Sequence, residues 1–211
     1  MQAIVYHNYC SPDVLKLEEV QKPVPQDDQV LVKVVAASAA AGDWHLLRAD
    51  PFLIRLTSGL LTPKYKILGA AVAGQVEAVG RNVTQFQPGD AVFGDLSRCG
   101  FGAFAEYVVL PAHFLHNIGT IPFEDAAMVE TSAIAVYAVR QAAVNAGDRV
   151  AVLGTGPVGL QLIQAARANG AREVVAVGGR PSRRALAREL GAEEALAADD
   201  PCLEERVLEH T

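Results

Sequence analysis

Between Arg149 and Gly159 the chain reads Arg-Val-Ala-Val-Leu-Gly-Thr-Gly-Pro-Val-Gly, an apolar run that ends in a glycine pattern. The run fits a short strand, and Pro157 fits the first position of a helix, where its missing N–H costs nothing. Each glycine has its own use at such a corner. Gly154 permits the tight turn off the strand, Gly156 lets a pyrophosphate approach bare main chain, and Gly159 lets helix and strand pack closely. Together with Pro157 and Val158 they form a dinucleotide-binding corner, with the helix N-terminus offering unpaired N–H groups to phosphate. The competing reading is an ordinary glycine-rich turn; a further strand at Glu173 to Val177 favours the dinucleotide.

Composition narrows the remaining classes. Of 211 residues 51% are hydrophobic, enough to bury a real core and to set disorder aside. The net charge of -6 argues against a polyanionic partner such as nucleic acid. Cys10, Cys99 and Cys202 are odd in number and in no Cys-x-x-Cys pair, which points to reduced thiols in a cytoplasmic setting, each read as a small buried hydrophobe. The N-terminus has no basic region before an apolar core. The apolar stretch from Ala126 to Val144 is broken by Glu130, Arg140 and Gln141, so neither a signal peptide nor a membrane span is expected.

Residues 1–121 read as an all-β domain of short strands between turn residues. Strands are expected at Gln29 to Val35, Ala71 to Ala78, Ala91 to Phe93 and Ala103 to Leu110, with short helices at Trp44 to Arg48 and Pro51 to Thr57. Residues 122–211 change to helix and strand in alternation. One helix is expected over Phe123 to Val144, a strand at Val150 to Leu153, and a helix at Pro157 to Asn169 closed by Gly170. Then come the strand at Glu173 to Val177, a helix at Ser182 to Leu190, a weak strand at Glu194 to Ala197 and a helix at Pro201 to Glu209.

Several motifs carry a family likeness: Leu68-Gly69, Gly74 to Gly80, Pro88-Gly89-Asp90-Ala91-Val92-Phe93-Gly94 and Gly102 to Tyr107. With the Pro-x-Pro ahead of a valine strand, they resemble the medium-chain dehydrogenase/reductase superfamily over nearly the whole chain. The front half is most similar to its zinc-independent quinone-oxidoreductase branch, whereas Val129-Glu130 and Gly154 to Gly159 are more similar to the alcohol and polyol dehydrogenase branch. The resemblance implies an α+β two-domain fold, a GroES-like β-barrel domain followed by a partial Rossmann domain. It also implies a nicotinamide-dependent oxidoreductase acting on a small molecule, with a homo-oligomer as a common state of the family.

In the zinc branch a Cys stands three residues before the Asp that matches Asp43, and a His-Glu pair follows the Gly that matches Gly69. Here those positions hold Ala40, Ala70 and Ala71. Alanine has no lone pair, so no metal site is expected. Glu130 is then a helix-start or interdomain polar residue. Without a Lewis acid, quinones and conjugated enones suit as hydride acceptors better than simple carbonyls. Asp43 and His45 are the candidate catalytic residues: by resemblance His45 matches a histidine of the zinc branch's proton relay, whose hydroxyl residue is Gly42 here. The competing reading makes Trp44 core and His45 an ordinary helix residue.

The cofactor's identity turns on the end of the second strand. NAD recognition needs a carboxylate there, about 20 residues past the glycines, to bind the adenosine ribose. Gly178 occupies that place and is followed by Gly179, Arg180, Pro181, Ser182, Arg183 and Arg184. An anion would meet guanidinium groups there, which favours the 2′-phosphate of NADPH. By resemblance Arg180 falls on the phosphate-contacting position, with Gly178 and Gly179 beside it; Arg183 and Arg184 read equally as a solvated helix face.

A doubly wound dinucleotide fold has strand order 3-2-1-4-5-6, of which this sequence supplies strands one to three. The expected consequence is an incomplete chain whose first strand is an open edge. Three readings follow: an NADPH-dependent, zinc-independent reductase or dehydrogenase, a non-catalytic remnant that binds nucleotide or a partner, and a zinc-dependent alcohol dehydrogenase.

Overall fold

In the computed structural model, which describes residues 1–210, the chain opens with β1 (Gln2–Val5) and β2 (Lys16–Glu19), paired antiparallel. β3 (Gln29–Ser38) follows, with Val30, Leu31 and Val32 buried in succession and an alternating, half-buried pattern from Lys33 onward. After it come α1 (Ala41–Arg48), a tight helical turn at Phe52–Ile54, α2 (Arg55–Ser58), β4 (Ala71–Val79), β5 (Ala91–Asp95), β6 (Tyr107–Pro111) and β7 (Leu115–Asn117). β6, β3, β4, β5 and β7 form one antiparallel sheet in that order. Its core is Val30, Val32, Val72, Val92, Leu96 and Leu110, each removed from water and each contributing about 1.5–3 kcal/mol of transfer free energy.

α3 (Phe123–Ala126) belongs to this first unit, because Phe123, Ala126 and Ala127 pack with Ala73 and Ile118. The chain divides into Met1–Met128 and Val129–Thr211, beyond the junction at 121/122 expected from composition. Thr211 lies outside the described residues.

The second unit alternates α4 (Val129–Gln141), β8 (Arg149–Leu153), α5 (Pro157–Ala168), β9 (Glu173–Gly178), α6 (Pro181–Glu189), β10 (Glu194–Ala197) and α7 (Leu203–His210). Its parallel sheet has the order β10-β9-β8. The central strand β9 is covered on both faces, which is why Val174 to Val177 is an unbroken apolar run. Val174 and Ala176 pack with Ile163, Ala166 and Ala187, whereas Val175 and Val177 pack with Leu196, Leu203 and Val207. Alanines at these contacts let helix and sheet approach closely. β8 has a strand partner on one side only among the described residues, and Leu153 is 79% exposed.

Three expectations need correction. The helix expected over Phe123 to Val144 is two helices, broken where the Met128 N–H bonds back to Asp125 O, since its first turn packs on the first unit's sheet. The strand expected from Ala103 begins only at Tyr107, because Ala103 and Phe104 give their N–H groups to Gly69 and Leu68 instead of to a strand. Cys10 and Cys202 are exposed, and only Cys99 is partly buried, where burial pushes its thiol up to about 11. No helix among the described residues is long and apolar enough to cross a membrane.

The end of α7 is held by charge. His210 Nδ1 lies 2.5 Å from Glu173 and Nε2 lies 2.8 Å from Glu194, while Arg206 bonds Asp200 and Glu194. Two ring nitrogens facing carboxylates must both donate, so the imidazolium is the form held. The Glu173 hydrogen bond, aided by the charges of Glu173 and Glu194, raises the His210 pKa. Stability from this group is therefore complete below its unfolded value of about 6.5 and is lost as pH rises through the raised folded value. Glu173 is lowered, mainly by the same bond, so its share is lost in acid. Thermal melts across this range should show an alkaline decline in the midpoint that His210→Gln removes; an unchanged decline in that variant would contradict the assignment.

Candidate functional site

β8 is followed by Gly154, whose φ of 114° no side chain adopts comfortably and whose N–H bonds Val177 O at 2.8 Å. Gly156 caps α5, and Pro157 is its first residue. The first bond back along the helix runs from the Leu160 N–H to Gly156 O, 2.9 Å, leaving the Val158 and Gly159 N–H groups at the open end. A Cβ on Gly159 would lie 1.8 Å from Gly154 O, so this glycine is required by packing. A Cβ on Gly156 would meet only Arg183 Nη1, at 3.9 Å. Space therefore remains over Gly156, where a ligand can approach the main chain.

That space belongs to a cavity of ≈ 540 Å³ lined by Leu153, Gly154, Thr155, Gly156, Val177, Gly178, Gly179, Arg180, Arg183 and Ala198. No carboxylate lines it. Arg180 caps α6, with its carbonyl accepting from the Arg183 and Arg184 N–H groups, both 3.1 Å. The two following arginines part ways. Arg184 Nη1 donates to Gly178 O and Gly179 O, both 2.8 Å, and holds the turn itself, whereas Arg183 reaches over the glycine corner. Arg183 lines the cavity together with Arg180, the residue capping its helix.

In the first unit, Asp43 and His45 share α1 but do different things. Asp43 is 7% exposed and accepts from the Ala40 N–H at 2.8 Å and the Gly69 N–H at 2.9 Å. It thus ties the helix start to the loop before β4. Burial first, and then Tyr9 and Asp43, push the Tyr6 phenol up, so it stays protonated. His45 is exposed, and its Nδ1 lies 2.6 Å from Asp50 O. A carbonyl only accepts, so Nδ1 carries the proton and Nε2 presents a lone pair when the ring is neutral. Trp44 is not core; it is 45% exposed, with the Arg48 guanidinium 4.9 Å over its ring. Asp43→Ala strands two N–H groups at a cost of about 1–3 kcal/mol each. Urea denaturation should show Asp43→Asn, which keeps one acceptor, losing less; parent-like stability in Asp43→Ala would contradict the role.

The zinc positions can be tested on their own atoms. Ala40 and Ala70 contribute only main-chain groups, with Ala70 O accepting from Leu96, and Ala71 is a buried first residue of β4. None can ligate a metal. No group of three or more His, Cys, Asp or Glu among the described residues is arranged to hold one. Glu130 sits in the first turn of α4 and accepts from the Thr131 hydroxyl at 3.3 Å. A larger cavity in the first unit, ≈ 940 Å³, shares no residue with either candidate set, and its acids Asp27 and Asp28 are engaged by Arg81 and Asn82.

Residues 26–120 match the alcohol dehydrogenase GroES-like domain, and residues 157–211 match the zinc-binding dehydrogenase family. The (R,R)-butanediol dehydrogenase of Bacillus subtilis is 31% identical over 217 residues, covering 91% of this chain and 62% of that protein. Human quinone oxidoreductase is 33% identical over 178 residues, covering 81% of this chain and 50% of that protein. The solved quinone oxidoreductase of Pseudomonas syringae pv. tomato DC3000 superposes with a TM-score of 0.84 at 28% identity, covering 99% of this chain and 62% of that one. A structure from Sinorhizobium meliloti 1021 solved bound to NADP superposes with a TM-score of 0.81 at 27% identity, covering 97% of this chain and 64% of that one. The chain spans about three fifths of the length of the first of these curated relatives.

Proposed function

Because the chain belongs to the medium-chain dehydrogenase/reductase superfamily, we propose that it serves hydride transfer between NADP(H) and a small carbonyl, conjugated enone or quinone without a metal ion. The observation that carries this reading is the cavity at the ends of β8 and β9, which combines bare main chain with Arg180 and Arg183 and contains no carboxylate. The Val158 and Gly159 N–H groups bind the pyrophosphate, and the two guanidiniums meet the extra phosphate on the adenosine ribose. A 2′-hydroxyl would find no carboxylate there to accept its hydrogen bond. The nicotinamide of such a cofactor, when bound, would supply or receive the hydride.

On the substrate side, His45 Nε2 is the atom that holds or passes a proton, and Asp43 positions the helix that carries it. A zinc-type polarisation of the carbonyl is not available from Ala40, Ala70 and Ala71. Acceptors that take hydride without a Lewis acid therefore fit best. The experiment is NADPH oxidation by a simple quinone and an enone, with and without a strong chelator. Chelator-insensitive turnover is expected. Turnover abolished by chelator and restored by zinc supports the zinc alcohol dehydrogenase reading instead, and binding of NADPH without oxidation supports the non-catalytic one.

A further inference from the structure

We infer that Thr155 is a second determinant of cofactor choice, coupled sterically to Gly178, so that the chain cannot be converted to NAD use at position 178 alone. The inference rests on the NADP(H) reading above and concerns how that preference is built. The NAD solution in this kind of fold is a carboxylate at the end of the second strand. On this backbone a Cβ at Gly178 would lie 2.1 Å from Thr155 Oγ1, 2.8 Å from its Cγ2 and 2.9 Å from its Cβ. Rotation about χ1 can turn Hβ toward the closest position and move Oγ1 away, but it leaves Cβ, at 2.9 Å, in place. Thr155 has little room to retreat: it is 5% exposed and sits between Gly154, bonded to Val177 O, and Gly156 at the start of α5.

The volume that an acidic residue's Cβ needs is therefore occupied from the other side of the corner. The constraint is local to this pair, because a Cβ at the neighbouring Gly179 would meet nothing within 4 Å. Thr155 thus excludes the NAD-type carboxylate by shape, while Arg180 and Arg183 favour phosphate by charge. Preference for NADP(H) then has two parts, and only the second is visible as charged residues.

The test is a double-mutant cycle in the whole chain, reading the thermal midpoint without cofactor and the Kd values for NADPH and NADH. Gly178→Ala and Gly178→Asp should each lower the midpoint, and Thr155→Gly should recover most of that loss in the double variants. Gly179→Ala should leave the midpoint unchanged. Gly178→Asp alone should lose NADPH without gaining NADH, whereas Gly178→Asp with Thr155→Gly should bind NADH about ten- to a hundredfold more tightly than the single variant. A gain in NADH binding by Gly178→Asp equal to that of the double variant, or a midpoint loss that Thr155→Gly does not recover, would overturn the proposal. Tighter binding of NADH than NADPH by the unaltered chain would sink the NADP(H) reading separately, because the cofactor-free cycle with Gly178→Ala tests the steric coupling by itself.

Discussion

Gly159→Ala should destabilise the second unit by about 1–3 kcal/mol or more and remove nucleotide binding. Its Cβ would lie 1.8 Å from Gly154 O and 2.9 Å from Gly154 C, atoms of a backbone that cannot rotate away. Relief requires α5 to move off β8, and that movement opens the corner. Gly156→Ala separates packing from binding, since its Cβ would meet only Arg183 Nη1 at 3.9 Å. This variant should keep its thermal midpoint yet lose NADPH, because the methyl stands where the pyrophosphate must approach. Equal destabilisation by both substitutions, or NADPH binding retained in Gly156→Ala, would contradict the assignment of the corner.

The second large effect concerns the arginines. Arg180→Ala and Arg183→Ala should each weaken NADPH by about tenfold or more, the worth of a charge-assisted hydrogen bond, and leave NADH nearly unchanged. Arg184→Ala should behave differently. Its guanidinium holds Gly178 O and Gly179 O, so its loss should lower the thermal midpoint and weaken both cofactors alike. Calorimetric titration of the three variants with both cofactors distinguishes these outcomes; equal loss of NADPH and NADH in Arg180→Ala would remove its phosphate role.

How much of this was legible in the sequence follows the range of the interactions. The glycine corner is local: strand, turn and helix start lie within one short segment, and Gly159 answers to Gly154, close by in the chain. β9 was legible for a related reason, since a strand covered on both faces is apolar throughout. β2 has no local signature because Lys16, Glu18 and Glu19 mask any apolar pattern. The split between α3 and α4 was hidden because both pieces have helical composition, and only packing with Ala73 and Ile118 separates them.

The candidate site shows the same division. Asp43 stood out as a chemically capable acid, but its carboxylate accepts from two backbone N–H groups, one of them on Gly69, remote in sequence. Arg183 and Arg184 are adjacent and identical, so their different tasks follow from their directions off α6 and have no local signature. Thr155 against Gly178 is a contact between two strand ends. A glycine in place of an acid reveals that something is absent; the structure supplies the side chain that fills its place.

The central claim is that this corner grips an NADP-type nucleotide through bare main chain and guanidinium groups. Parallel equilibrium titrations of the purified chain with NADPH and NADH at equal ionic strength test it most directly. The account predicts saturable binding of both, with NADPH tighter by about tenfold or more and the gap narrowing as salt rises. Equal or tighter binding of NADH, or no saturable binding of either, would contradict it.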